Sequence, residues 1–105
     1  MDEIKFDIEK EFLPVGSVVS VRFNTNKFMI VGFCTVAGDS KKMYDYSAVA
    51  YPLGLMDFDN VTMFNKEIIK KVHYLGYSDE EEKEFKKTLA EAIKNKKFRN
   101  FEEMN

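Results

Sequence analysis

The sequence has no tryptophan, one cysteine, one histidine and two prolines. The single cysteine, Cys34, excludes an internal disulfide and fits a reducing compartment. Cys34 and the single histidine, His73, cannot by themselves close a four-ligand zinc site. Neither sign of charge is in excess, with 18 acidic residues against 16 basic ones and a formal net charge of −2. That balance gives no whole-surface footprint for nucleic acid and no pull toward anionic lipid. No apolar run approaches the roughly 20 residues that a spanning helix needs. Residues 1–12 interleave charge with Ile4, Phe6 and Ile8, without a basic start, so they do not read as a signal peptide. A soluble, cytoplasmic protein without a membrane partner is expected.

What is present is aromatic. Ten Phe and five Tyr stand in 105 residues, a length that predicts one domain. The expected organisation is a single domain over 1–105. It comprises an N-terminal arm (1–11), a β-rich core (12–77), a C-terminal helix (78–97) and a tail (98–105).

Residues 12–33 organise the chain. Residues 17–23 are rich in Val, and residues 27–36 mix Phe, Met, Ile and Val, which suits pleated, half-buried strands. Asn24-Thr25-Asn26 between them is a turn signal, because Asn tolerates left-handed backbone and bonds its own main chain. Period-two alternation puts Val19, Val21 and Phe23 on one face of the first strand. In the second it puts Phe28, Ile30 and Cys34 on one face and Met29, Val31 and Phe33 on the other. Apolar residues on both faces imply a sandwiched strand or a small closed barrel.

The flanking segments read less evenly. Ile4, Ile8 and Phe12 fit a short helix or an extended arm. Residues 43–51 read as a third strand, ended by Pro52 and Gly54. Residues 53–64 read as a loop with Leu55, Met56, Phe58 and Phe64 tucked inward. Asn65 looks like the cap of a single turn over 66–69, followed by a short strand over 71–77. Ser78 with Glu81 three residues on makes a capping box for the last helix. Phe85, Leu89, Ala92 and Ile93 form its buried stripe.

Chemistry is sparse. His73 in an apolar strand reads as a half-buried sheet residue, and Cys34 as a small core residue; a Cys34–His73 nucleophile pair has no orienting third group. Asp57, Asp59 and Asn60 resemble the start of a calcium loop, but the sixth and twelfth positions hold Thr62 and Ile68 where Gly and Glu are required. No phosphate-cradling glycine pattern occurs. The basic stretch over 94–99 reads as a solvated helix end. No catalytic residue, cofactor or metal site is expected. The tyrosines are the exception, because Tyr gives large contact area at low entropy cost. Tyr44, Tyr46, Tyr51 and Tyr77 are the expected partner-binding residues.

Several blocks resemble a known family. They are Leu13-Pro14-Val15-Gly16-Ser17-Val18-Val19, Met29-Ile30-Val31-Gly32, Tyr44-Asp45-Tyr46, Tyr51-Pro52-Leu53-Gly54-Leu55, Phe64-Asn65 and Gly76-Tyr77, in that order. Over about residues 12–85 the chain resembles the small bacterial proteins classed as domain of unknown function 4176. Such proteins are commonly encoded beside LXG toxins in type VII secretion loci of Gram-positive bacteria. The resemblance implies an accessory role, as chaperone or targeting adaptor for the toxin. It carries over no catalytic residue.

The expected fold is α+β, a small, strongly bent antiparallel sheet of four or five strands, SH3-like if closed into a barrel, with a C-terminal helix. The expected function is a non-enzymatic protein-binding module whose partner is an LXG toxin or its helical accessory proteins. An immunity protein that neutralises the toxin is the alternative, and a small-barrel nucleic-acid-binding protein a further one, disfavoured by charge. A homo-oligomer remains open, since an exposed edge or helix face could be closed by a second copy.

Overall fold

The computed structural model describes residues 4–37 and 42–94, with residues 34–37 described by backbone alone. Five strands and one helix follow in order: β1 (Val18–Val21), β2 (Lys27–Ala37), β3 (Lys42–Tyr51), β4 (Thr62–Phe64), β5 (Ile69–Tyr74) and α1 (Glu80–Lys94). The strands form one antiparallel sheet in the order β4-β3-β2-β1-β5. The α+β class is as the sequence implies.

The connection between the two edge strands fixes the sheet's shape. A flat sheet of five strands would separate its edges by about 19 Å, at about 4.8 Å per strand spacing. Residues 65–68 alone join β4 to β5, and Lys66–Ile68 is a 3-10 turn, which rises only about 2 Å per residue. So short a link reaches across only if the sheet curls. The curl is strong but the sheet stays open, with β4 and β5 as edges that do not pair with each other. The link is braced from β3: the Asp45 amide donates to Asn65 Oδ1 at 3.0 Å, and the Lys66 amide donates to Asp45 Oδ2 at 2.9 Å. Asn65 therefore ties two segments together and makes no side-chain cap bond.

Inside the curl lie Leu13, Val19, Val21, Phe28, Ile30, Tyr46, Ala48, Phe64 and Ile69. A β-bulge between Ile30 and Gly32 shifts the register of β2. The extra residue reverses the facing of the residues after it. Phe33 thus joins Phe28 and Ile30 against the core, where strict alternation sets it on the opposite face. Its ring meets those of Phe12, Tyr46 and Phe85 at centroid distances of 5.5, 5.9 and 5.7 Å. The side chain of Cys34 lies outside the described residues.

Other boundaries move too. β1 stops at Val21, because Arg22 and Phe23 form a turn in which Phe23 has φ 70°. Phe23 therefore leaves the face of Val19 and Val21. The stretch over 53–64 holds a 3-10 turn (Phe58–Asn60) and β4. Of its four supposedly buried side chains only Phe64 is buried; Leu55, Met56 and Phe58 are exposed. The last strand begins at Ile69 and ends at Tyr74, three residues short of Tyr77.

The helix starts later than the capping box implies. Asp79, not Ser78, accepts from the Glu82 amide at 2.9 Å, and its carbonyl accepts from the Lys83 amide. Asp79 and Glu82 hold the cap and third helical positions, one residue beyond Ser78 and Glu81. The Ser78 hydroxyl donates instead to Glu82 Oε1. Leu89 is buried, and Phe85 leaves part of its ring exposed while touching Phe33.

Residues 4–11 form an arm with one turn, closed by the Lys10 and Glu11 amides on the Asp7 carbonyl. Phe6 and Ile8 pack on the core. Lys86 clamps the arm to α1. Its Nζ lies 3.0 Å from Glu11 Oε2, 3.5 Å from Glu82 Oε2 and 5.5 Å from the Phe6 ring centroid. The tail over 98–105 and the basic stretch beyond Lys94 lie outside the described residues.

Candidate functional site

Three places on the molecule hold more than packing. The first is one end of the sheet. Lys27 pairs with Tyr51, so the turn between β1 and β2 and the loop after β3 emerge side by side. Together they present Phe23, Tyr51, Leu53, Leu55, Met56 and Phe58, all exposed. Phe23 is 94% exposed and Phe58 87%. An aromatic with positive φ is sterically disfavoured. Here it projects its ring into solvent, where the fold gains nothing from it. The loop itself is well specified locally. Asp57 Oδ1 accepts from the Asp59 amide at 2.9 Å and initiates the 3-10 turn that carries Phe58.

The second place is an apolar groove of about 430 Å³ lined by Val15, Val31, Gly32, Phe33, Tyr77 and Phe85, with Glu82 at its polar side. It forms where the chain after β5 crosses the chain before β1. Gly76 permits that crossing, because a Cβ there would collide with the Val15 carbonyl oxygen. The Gly76 amide donates to the buried Ser17 hydroxyl oxygen at 2.9 Å and fixes the approach. A larger cleft of about 690 Å³ separates the arm from α1. Lys86–Glu11 and Lys66–Glu9 pair across its walls, so it is a structural seam with its charges largely satisfied.

The third is polar. Ser20 Oγ and His73 Nε2 share a hydrogen bond on the outer face of the sheet. Partial burial lowers the His73 pKa, and the ammonium groups of Lys27 and Lys71 lower it further. Both effects favour the neutral imidazole. A serine beside a neutral histidine invites comparison with a nucleophile and its base. Such a pair works when a third group orients the base and donors await the oxyanion. No carboxylate accepts a hydrogen bond from His73 among the described residues, and Ser20 sits mid-strand rather than on a strained turn. The contact is a cross-strand pair, with no third member.

The four tyrosines singled out by sequence do not form one surface. Tyr46 is 1% exposed, and its hydroxyl oxygen accepts from the Leu13 amide at 2.9 Å. It is a core residue, so it is removed from the binding set. Period-two alternation could not tell which face of β3 curls inward. Tyr44 is half-buried beneath the Lys42 ammonium, 5.2 Å from its ring centroid. Tyr51 belongs to the sheet end and Tyr77, 79% exposed, to the groove. Sequence reasoning missed Phe23 and Phe58, the two most exposed aromatics among the described residues. The usable signal was position, since each stands in a turn beside Asn or Asp.

Among the described residues no group of three His, Cys, Asp or Glu side chains could hold a metal ion, and no helix is long and apolar enough to cross a membrane. No curated protein and no solved structure matches the chain. The family described as Domain of unknown function (DUF4176) matches residues 12–85. That span begins at Phe12 and ends at Phe85, two rings that both pack on Phe33. It takes in the whole sheet, the Gly76 crossing and the Phe23 and Phe58 loops, and with more than half of its length inside the match the chain belongs to the DUF4176 family.

Proposed function

We propose that this protein is a non-enzymatic protein-binding module, acting in the cytoplasm as a chaperone or targeting adaptor for an LXG toxin of a type VII secretion system. One observation carries the binding role. Phe23 and Phe58 stand almost wholly in solvent on adjacent loops, one of them on unfavourable backbone. A group of exposed apolar side chains at one end of the sheet costs solubility and marks a contact site. Aromatic anchors at such sites dominate binding energy. The choice of partner comes from the family resemblance, in which the neighbouring gene encodes the toxin.

Co-expression of the chain with the toxin encoded beside it tests the reading. A stable complex is expected, and Phe23→Asp with Phe58→Asp should abolish it while the fold persists. Toxin export should fall when the gene is deleted. Absence of any complex, with export unchanged, refutes the proposal. Protection of cells without an effect on export would instead make the protein an immunity factor.

A further inference from the structure

We propose that the outer face of the sheet around Ser20 and His73 is a binding site for a doubly charged tetrahedral oxyanion of the phosphate-monoester kind. The register builds it. Ser20 stands directly opposite Lys27 on β2 and directly opposite Lys71 on β5. Paired residues share a face, so the three side chains form a row across three strands. Val19 and Val21 on either side of Ser20 point into the core, which sets the row on the outside.

β5 then departs from regular pairing twice within six residues. Val18 opposes Tyr74 and Val19 opposes Val72, which leaves His73 as an inserted residue between them. A second shift between Ser20 and Val21 leaves Lys70 inserted in the same way. Bulges re-aim side chains and recur beside functional sites. Here the first one brings the His73 ring onto the Ser20 hydroxyl.

The row is also unneutralised. Lys27 and Lys71 take part in no ion pair among the described residues, whereas Lys66, Lys83, Lys86 and Lys87 all do. Lys27 from β2 and Lys71 from β5 both lower the His73 pKa, and neither forms an ion pair with an acidic group among the described residues. In a chain of net charge −2, this concentrates positive potential at one spot. Two ammonium groups, one hydroxyl and an imidazole that can gain a proton match a dianion with several acceptor oxygens. A phosphodiester carries one charge and repeats along a strand, which would call for an extended basic track instead.

The test uses the full chain and the His73 ring signals in NMR at about pH 7, where a phosphate monoester is mostly dianionic. Sodium sulfate, inorganic phosphate and phosphoserine are titrated against sodium chloride of equal ionic strength. A saturable shift of the ring with each oxyanion, and none with chloride, is expected. Bound dianion should also raise the His73 titration midpoint. K27Q/K71Q should weaken binding roughly tenfold or more, since it removes two charge-assisted contacts. Ser20→Ala should weaken it less. Tighter binding of phosphoserine than of inorganic phosphate supports a phosphorylated side chain as the source; equal binding supports free phosphate. A shift reproduced by chloride, or retained in full by K27Q/K71Q, overturns the site. A thymidine oligonucleotide that binds more tightly than phosphoserine overturns the monoester assignment.

Discussion

The hydroxyl of Tyr46 on β3 accepts a hydrogen bond from the main-chain amide of Leu13, 33 residues earlier, at 2.9 Å, and both residues are sealed from solvent. This bond anchors the segment before β1 to the middle of the sheet. It also satisfies a buried backbone donor that lies outside any strand. Tyr46→Phe keeps the ring contacts with Phe12 and Phe33 but leaves that amide unpaired. The expected loss is about 1–3 kcal/mol, read from urea unfolding. A loss near zero would mean that water reaches Leu13.

Gly76 passes over Val15 so closely that any side chain collides with the Val15 carbonyl oxygen, a backbone atom that cannot swing aside. Gly76→Ala should therefore cost at least about 1–3 kcal/mol, the range for overpacking. Gly54, with φ 78° but open space around it, loses only its backbone freedom on the same change. Gly54→Ala should cost about 1 kcal/mol. Thermal melts of the two variants give the order directly.

These contrasts show what a linear reading can reach. The Val and Phe runs of residues 17–36 announce a hairpin, because side-chain type and period are local properties. The apolar residues on both faces of β2 point to a sandwich or a closed barrel, whereas the sheet is curled but open. The bulge after Ile30 has one signal, Gly32, because an isolated glycine inside a strand often marks a bulge, but alternation alone does not place it. That one inserted residue carries Phe33 into the core and defeats strict alternation. Tyr46 and Phe23 exchange roles for a similar reason. Residue type alone assigns the first to a binding surface, yet it fills the core; period sets the second on the face of Val19 and Val21, yet it stands in solvent. In each case the deciding term is which way the sheet bends, a property of the whole chain.

The helix cap is a case where two neighbouring signals compete. Ser78 with Glu81 and Asp79 with Glu82 both fit the capping pattern, and the second pair is used. Asp79→Ala should destabilise the protein by about 1 kcal/mol, the usual cost of losing a cap. Ser78→Ala removes only an exposed contact to Glu82 and should stay within roughly 0.5 kcal/mol. Equal effects in chemical denaturation would contradict the later start.

The His73 pKa is lowered by partial burial and by Lys27 and Lys71. Its folded value therefore lies below its unfolded value of about 6.5. Above that pH both states are neutral and His73 contributes no slope. As pH falls through the unfolded value, the unfolded chain binds the proton first and stability declines, levelling off only below the folded value. Lys27→Gln should raise the folded midpoint and flatten that decline. Ring titration by NMR follows the midpoint, and melting temperatures across about pH 5–8 follow the slope. A midpoint that moves down in Lys27→Gln would contradict the assignment.

Phe23 sets stability against binding. Its φ of 70° is a conformation that glycine adopts freely and an aromatic residue does not. The ring is 94% exposed, so its removal empties no core space. Phe23→Gly should relieve strain of the order of 1–3 kcal/mol, offset in part by the greater freedom of glycine in the unfolded chain. The free protein should thus melt at the same temperature or higher. The proposed complex with the toxin should weaken by about 2 kcal/mol or more, as expected for an aromatic anchor. Phe23→Leu keeps the strain and part of the apolar surface, and should fall between wild type and Phe23→Gly in affinity. Calorimetric titration alongside thermal melts reads both quantities on each variant. A variant that binds as tightly as wild type would remove Phe23 from the contact surface, and one that melts well below it would show that the ring supports the fold.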